Sequence, residues 1–301
     1  MTTKTRNWVI TLLILAAPFL FFLGLLFFWT AEPLPPIAPL PNSNGYNDLV
    51  KAGAMADDNT GDYYEMKLEE LRRLVAKNSD VLQTARNSLQ EDCAVPLQFS
   101  LNYVSRHLPE LADYKRLAQA FVAEGRLAEM ENRPGDAVKS YLDAIRLGHK
   151  SAHGGILIDQ LVGTAIEAMG VSHLQKLGDQ LDAKTCHETA ATLETLDAQR
   201  QTWNEVMQQE SAWSRRAYPG IKYRLGELVM SSSLKKALQG GERKFNKQQL
   251  IARQLLIDLA ARAYELDKGH APTSVADLVP DYLKAVPQDP VTGTNLVYSP
   301  R

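Results

Sequence analysis

Cysteine is scarce: two residues in 301, Cys93 and Cys186, supply no disulfide framework. They form no CxxC pair, which excludes a zinc knuckle and a thioredoxin-type redox site. Two separately buried thiols are expected; a single bridge stays open, since it needs Cα atoms within about 7 Å, which sequence does not give. A surplus of either charge is also lacking. Lys and Arg number 33 against 35 Asp and Glu, a formal net charge of −2, so no nucleic acid partner is indicated.

Catalytic and metal signatures are missing too. His187-Glu188-Thr189-Ala190-Ala191 opens like the zinc-binding H-E-x-x-H helix but has no second histidine. His153-Gly154-Gly155 has the form of an oxyanion loop, yet no G-x-S-x-G elbow accompanies it. His149 and His153 stand four apart, but Gly148 and the Gly154-Gly155 pair mark a helix end, where histidine meets free carbonyls, and no third ligand is identifiable. His173 falls on the apolar stripe of Leu161, Ala165 and Met169 and reads as a core or boundary residue. Asp57, Asp58, Asn59 and Asp62 match a calcium loop only loosely, because Gly61 is misplaced and no closing glutamate follows. No catalytic residue, cofactor or metal ligand is assigned, and turnover is not expected.

What the chain does have is one long apolar run. From Trp8 to Trp29 there is no charged side chain, and about 22 residues suffice to cross a hydrocarbon core of about 30 Å. Trp8 and Trp29 fall where interfacial aromatics belong, and Lys4 and Arg6 precede the run while Glu32 follows it. A cleaved signal peptide is the rival reading, but its apolar region is shorter and ends at a small-residue site that Trp29-Thr30-Ala31 fits poorly. The pattern predicts an uncleaved signal-anchor: a single-pass protein of the inner membrane, with the lipid bilayer as a partner through Trp8–Trp29, a cytoplasmic stub at 1–7 and the bulk extracytoplasmic.

Residues 30–46 form a proline-rich linker, Glu32 to Pro41 favouring an extended spacer. Residues 47–245 are rich in helix formers, with apolar stripes at Leu68, Leu71 and Val75, at Val138, Tyr141, Leu142 and Ile145, and at Leu157, Leu161, Ala165 and Met169. Further helices are expected at Leu157–Leu177 and Glu188–Glu210. Trp213 to Phe245 is basic and less regular, with Arg215, Arg216, Lys222, Arg224, Lys235, Lys236, Arg243 and Lys244 among Trp213, Tyr218 and Tyr223. A solvated surface is the ordinary account of that region, and contact with anionic headgroups the other.

Between Leu117 and Leu147 a helix is expected to end near Asn132, Arg133-Pro134-Gly135-Asp136 to turn, and a second helix to start at Ala137 with Asp136 as N-cap. Gly125 at the helix crossing, followed by Ala137, Tyr141 and Ala144, resembles one tetratricopeptide repeat of about 34 residues. Glu124, Ala128 and His149 depart from that pattern. The resemblance implies a helical-repeat-like body, since one repeat does not bury its own apolar face.

Residues 246–301 are expected to give a helix closing at Gly269, a short helix from Pro272-Thr273-Ser274 to Leu278, a turn at Asp289, Pro290 and Gly293, and a strand over Thr294–Tyr298. Tyr264, Asp267, Gly269, Pro272, Thr273, Leu278, Leu283, Pro287, Asp289, Pro290, Gly293 and Tyr298 resemble the C-terminal half of the major pseudopilin of type II secretion, over about 45 residues. That resemblance implies a small α+β module. The span lacks the family's glycine-phenylalanine processing site, so filament assembly is not implied, and the module reads as a structural cap. The fold expected is mainly α: a transmembrane helix, a helical-repeat-like body and an α+β end. The function expected is protein interaction or scaffolding in a bacterial envelope with an unidentified protein partner. An accessory part of a type II secretion or pilus-type assembly and an unrecognised envelope hydrolase are the alternatives.

Overall fold

The computed structural model describes residues 17–18, 34–57, 63, 65–218 and 232–298. The chain divides after Ala38 into two compact units, Met1–Ala38 and Pro39–Arg301.

Among the described residues the second unit is helical. Its helices are α1 (Tyr46–Met55), α2 (Leu68–Lys77), α3 (Ser79–Leu89), α4 (Tyr103–Met130), α5 (Pro134–Ala152), α6 (Leu157–Leu177), α7 (Ala183–Ala198), α8 (Trp203–Ala217) and α9 (Ser232–Lys268), with 3-10 turns at Gly178–Gln180 and Val275–Leu278. One main core runs from Leu49 and Tyr114 through Phe121, Tyr141, Ile145 and Leu174 to Leu256, Leu259 and Leu278.

The hairpin α4–α5 carries the expected crossing, where a Cβ on Gly125 would lie 2.3 Å from the Tyr141 ring. Its turn differs in detail from expectation. Asn132 adopts φ 57°, Arg133 is the N-cap, and Pro134 opens α5, placing Asp136 inside the first turn. Proline has φ preset for the first helical position and needs no donor there, so it starts the helix earlier than a side-chain cap would. Helices α5 and α6 then approach at glycine: a Cβ on Gly163 would stand 2.4 Å from the Gly148 carbonyl oxygen. The expected helix over Glu188–Glu210 is broken between Ala198 and Trp203, where Thr202 and Glu205 make a capping box.

The membrane reading is corrected. Among the described residues no helix is long and apolar enough to cross a membrane. The longest, α9, has the length but carries Lys235, Lys236, Arg243, Lys247, Arg253, Asp258 and Arg262 along it. The expected span at Trp8–Trp29 lies outside the described residues apart from Ala17 and Pro18. The single-pass, inner-membrane architecture and the signal-anchor are therefore withdrawn.

The α+β end is corrected as well. Gly269 closes α9 with φ 79°, Asp277 caps the 3-10 turn by accepting from Thr273 and Ser274 N–H, and Asp289 accepts from Val291 and Thr292 N–H in the expected turn. No strand follows among the described residues, only a bridge between Gln288 and Asn295. Pro287 and Pro290 have no N–H to donate, so the ladder over Thr294–Tyr298 stops after Leu296 N–H meets the Pro287 carbonyl at 2.8 Å. The C-terminal residues are tied to the helices instead. Arg253 donates to the Gln288 carbonyl, Lys284 N–H to Glu194, and Tyr282 to Asp267. Helix α9 runs unbroken through residues 245 and 246.

Candidate functional site

Residues 34–41 belong to no helix or strand, in keeping with their proline content. The next few residues are fastened down. Asn44 donates to the Ala94 carbonyl at 2.8 Å and accepts from Ala94 N–H at 3.0 Å, Gly45 N–H reaches the Asp92 carbonyl, and Ser43 donates to Glu91. The last part of the expected linker thus belongs to the fold. It holds Pro39, Leu40 and Pro41 as a strap along one edge of a cleft of about 900 Å³. The other walls are the C-terminal half of α5, the first half of α6, the segment Gln199–Gln201 and the loop at Asp92-Cys93.

The floor is an ion-pair ladder. Glu167, on α6, is 2% exposed and receives Arg200 on both carboxylate oxygens, at 2.8 and 2.5 Å. Arg200 also approaches Asp197 at 3.4 Å, and Asp197 pairs with Arg253 of α9 at 2.7 Å. His149 Nε2 lies 3.3 Å from the Arg200 guanidinium and 3.6 Å from Glu167. Burial alone would raise the Glu167 pKa, but the Arg200 charge and the His149 and Arg200 hydrogen bonds outweigh it and hold the carboxyl at about 2. Gln201 latches the α5–α6 loop, accepting from Gly154 N–H and from Gln160. Cys93 lines the cleft with its thiol pushed up to about 11 by burial.

A second cluster lies deeper. His107 bridges Glu110 on its own helix, at 2.8 Å through Nδ1, and Asp159 of α6, at 2.5 Å through Nε2. Tyr103 stacks on the imidazole at 4.9 Å between centroids, and Tyr46 donates to Glu110. Asp159 also accepts Ile156 N–H at 2.8 Å, capping α6. The side chains of His107 and Asp159 are 1% and 0% exposed, so this cluster fastens helices and does not meet ligand.

The residues that stand out in the sequence scatter. His149 and His153 both face the cleft. His173 is buried and stacked on Tyr141 at 4.6 Å. His187 is on the exposed side of α7, its ring 5.6 Å from that of Tyr282. Cys93 and Cys186 are free and buried. Of the acidic group, Asp58, Asn59 and Asp62 lie outside the described residues, and Asp57 pairs with Lys77. Within the basic region Trp213 is buried and donates to the Gln98 carbonyl, and Arg216 covers the Phe99 ring; Lys235, Lys236, Arg243 and Lys244 are exposed on α9, and Lys222, Tyr223 and Arg224 lie outside the described residues. No group of three metal-binding side chains occurs among the described residues. Glu167, Arg200, His107 and Asp159 belong to no motif, although acids at 159 and 167 on so apolar a helix are a signal of buried partners. No family model matches the chain, and no curated protein or solved structure matches it.

Proposed function

We propose that the protein is a binding module whose cleft, between the strap at Pro39–Pro41 and helices α5 and α6, holds an extended segment of another polypeptide. The observation that carries this reading is the strap itself: Pro39, Leu40 and Pro41, outside helix and strand, form one edge of a cleft of about 900 Å³ whose other walls are mostly helical, leaving an open groove beside a stretch of the protein's own chain. Support comes from the floor, where the Glu167–Arg200–Asp197–Arg253 ladder ties α6, the segment after α7 and α9 together beneath the cleft.

The hydrolase alternative has converging titratable groups in its favour, but their partners and burial oppose it. Arg200 occupies both oxygens of Glu167, which opposes a role as acid or base, and Cys93 is buried with its thiol pushed up by that burial, which opposes a role as nucleophile.

The test is a displayed-peptide selection on the full chain, repeated on Thr164→Trp, which places an indole on the α6 wall of the cleft. Selected peptides that bind the parent and lose at least about tenfold on the variant, about 1.4 kcal/mol, support the reading. An empty selection, or peptides that bind both proteins equally, refutes it.

A further inference from the structure

Four basic side chains of α5 and its C-cap face the same cleft: Arg146, His149, Lys150 and His153. Their spacing is i, i+3, i+4 and i+7, which puts all four on one helix face and sets the Arg146 and Lys150 cations one turn apart, a like-charge i,i+4 pair. The helix dipole favours basic residues in a last turn, but it does not direct them all into one cavity.

Their counter-charges are incomplete. Arg146 pairs with Asp143 at 2.9 Å, an acid it shares with Arg86. His149 looks at Glu167, whose two oxygens Arg200 already holds. The Lys150 ammonium meets only the Glu91 backbone carbonyl, at 2.6 Å, and no carboxylate pairs with it among the described residues. The His153 ring is exposed and has no polar partner among the described residues. Asp92, exposed on the rim, and Glu167 are the acids among the lining residues.

We infer that the cleft recognises an acidic peptide, with carboxylates of an extended ligand seated over Lys150 and His153 and the backbone lying beside the strap. This rests on the reading of the cleft as a peptide site and adds the chemistry of its occupant. Carboxylates would supply the counter-charge that Lys150 lacks, through charge-assisted hydrogen bonds that the partly enclosed walls strengthen. The strap contributes an apolar edge, since Leu40 is half exposed at the cleft.

The experiment uses the full chain and two labelled octapeptides, four Glu-Pro repeats and four Gln-Pro repeats, both held extended by proline. The Glu-Pro peptide is expected to bind about tenfold or more tighter at low salt and to lose that margin as salt screens it. The double variant Lys150→Met/His153→Gln is expected to bring the two affinities together, while Lys235→Gln/Lys236→Gln, on the exposed start of α9, keeps the margin. Circular dichroism and the melting temperature establish that both variants are folded. Equal binding of the two peptides, an unchanged margin in the cleft variant, or an equal loss in the α9 variant overturns the acidic preference and leaves the peptide cleft standing. Displacement of the peptide by micromolar inorganic phosphate overturns it in favour of a phosphorylated ligand. Binding of neither octapeptide overturns it too, and the displayed-peptide selection then decides whether the cleft takes peptide at all.

Discussion

Replacing Asp159 by alanine tests the deeper of the two polar clusters. The side chain is fully buried, faces His107 Nε2 at 2.5 Å and accepts Ile156 N–H at 2.8 Å. Removing it takes away a charge-assisted hydrogen bond worth about 1.5–3 kcal/mol and leaves a buried imidazole short of a partner. It also removes an N-cap worth about 1 kcal/mol. These losses share one site and do not simply add, so the expected destabilisation is about 3–5 kcal/mol, the range for breaking a buried pair from one side. Asp159→Asn keeps an acceptor for Ile156 and should cost less. The pH dependence has a definite sign. Burial alone would lower the His107 pKa, but hydrogen bonds and charge from Asp159 and Glu110 outweigh it and raise it above 6.5. The pair's contribution is then fully present below about pH 6.5, the unfolded value, and is lost as pH rises through the folded value. Urea unfolding followed by circular dichroism at several pH values measures both effects. The stability gap between the parent and His107→Gln should be widest on the acid side and narrow as pH rises. A loss below about 1 kcal/mol for Asp159→Ala, or a gap that widens toward alkaline pH, would refute the account.

Three further outcomes are expected. Gly163→Ala should destabilise by about 1–3 kcal/mol, because its Cβ would strike the Gly148 carbonyl, whereas Gly135→Ala, in open space in the first turn of α5, should be neutral or slightly stabilising; thermal melts separate them. Glu167→Gln should cost about 3–5 kcal/mol at pH 7, and since the carboxyl is held at about 2, the advantage of the parent should persist above pH 4.5 and fall away as pH drops toward 2. Both thiols are buried, and burial pushes each up to about 11, so native protein should react slowly with a thiol reagent at pH 8 and release two thiols on unfolding; a reagent-silent unfolded chain would mean a disulfide.

Helical periodicity is enough to place the buried stripes of α2 and α5. On α6 the expected stripe of Leu157, Leu161, Ala165 and Met169 is left half-buried or exposed while Gly163, Ile166, Gly170 and Leu174 are buried, because glycines set the close approach to α5. Gly269 and Asp289 announce their cap and turn because each acts on backbone within a few residues of itself. The strand over Thr294–Tyr298 fails for want of a partner, something its own alternation does not report. Local pattern also carries the break at Thr202 and Glu205, where the capping box that divides α7 from α8 is visible once the apolar run is not read through. The cleft is less legible. Its charged floor joins Glu167 to Arg200 across 33 positions, and its edge joins Pro39–Pro41 to α5 across more than a hundred, pairings that only the packed helices bring about. The basic face of α5 is present in the spacing, but only His149 and His153 stand out there, as a metal pair without a third ligand, while Arg146 and Lys150 look like ordinary surface charge until the cleft is seen.

The most direct test of the account is hydrogen exchange on the full chain with and without saturating peptide from the displayed selection. Backbone amides of residues 146–153 and 199–201, with Leu40 of the strap, should slow on binding while those of 235–247 stay unchanged. Slowing confined to α9 or to the C-terminal residues, with the cleft exchanging as before, would contradict it.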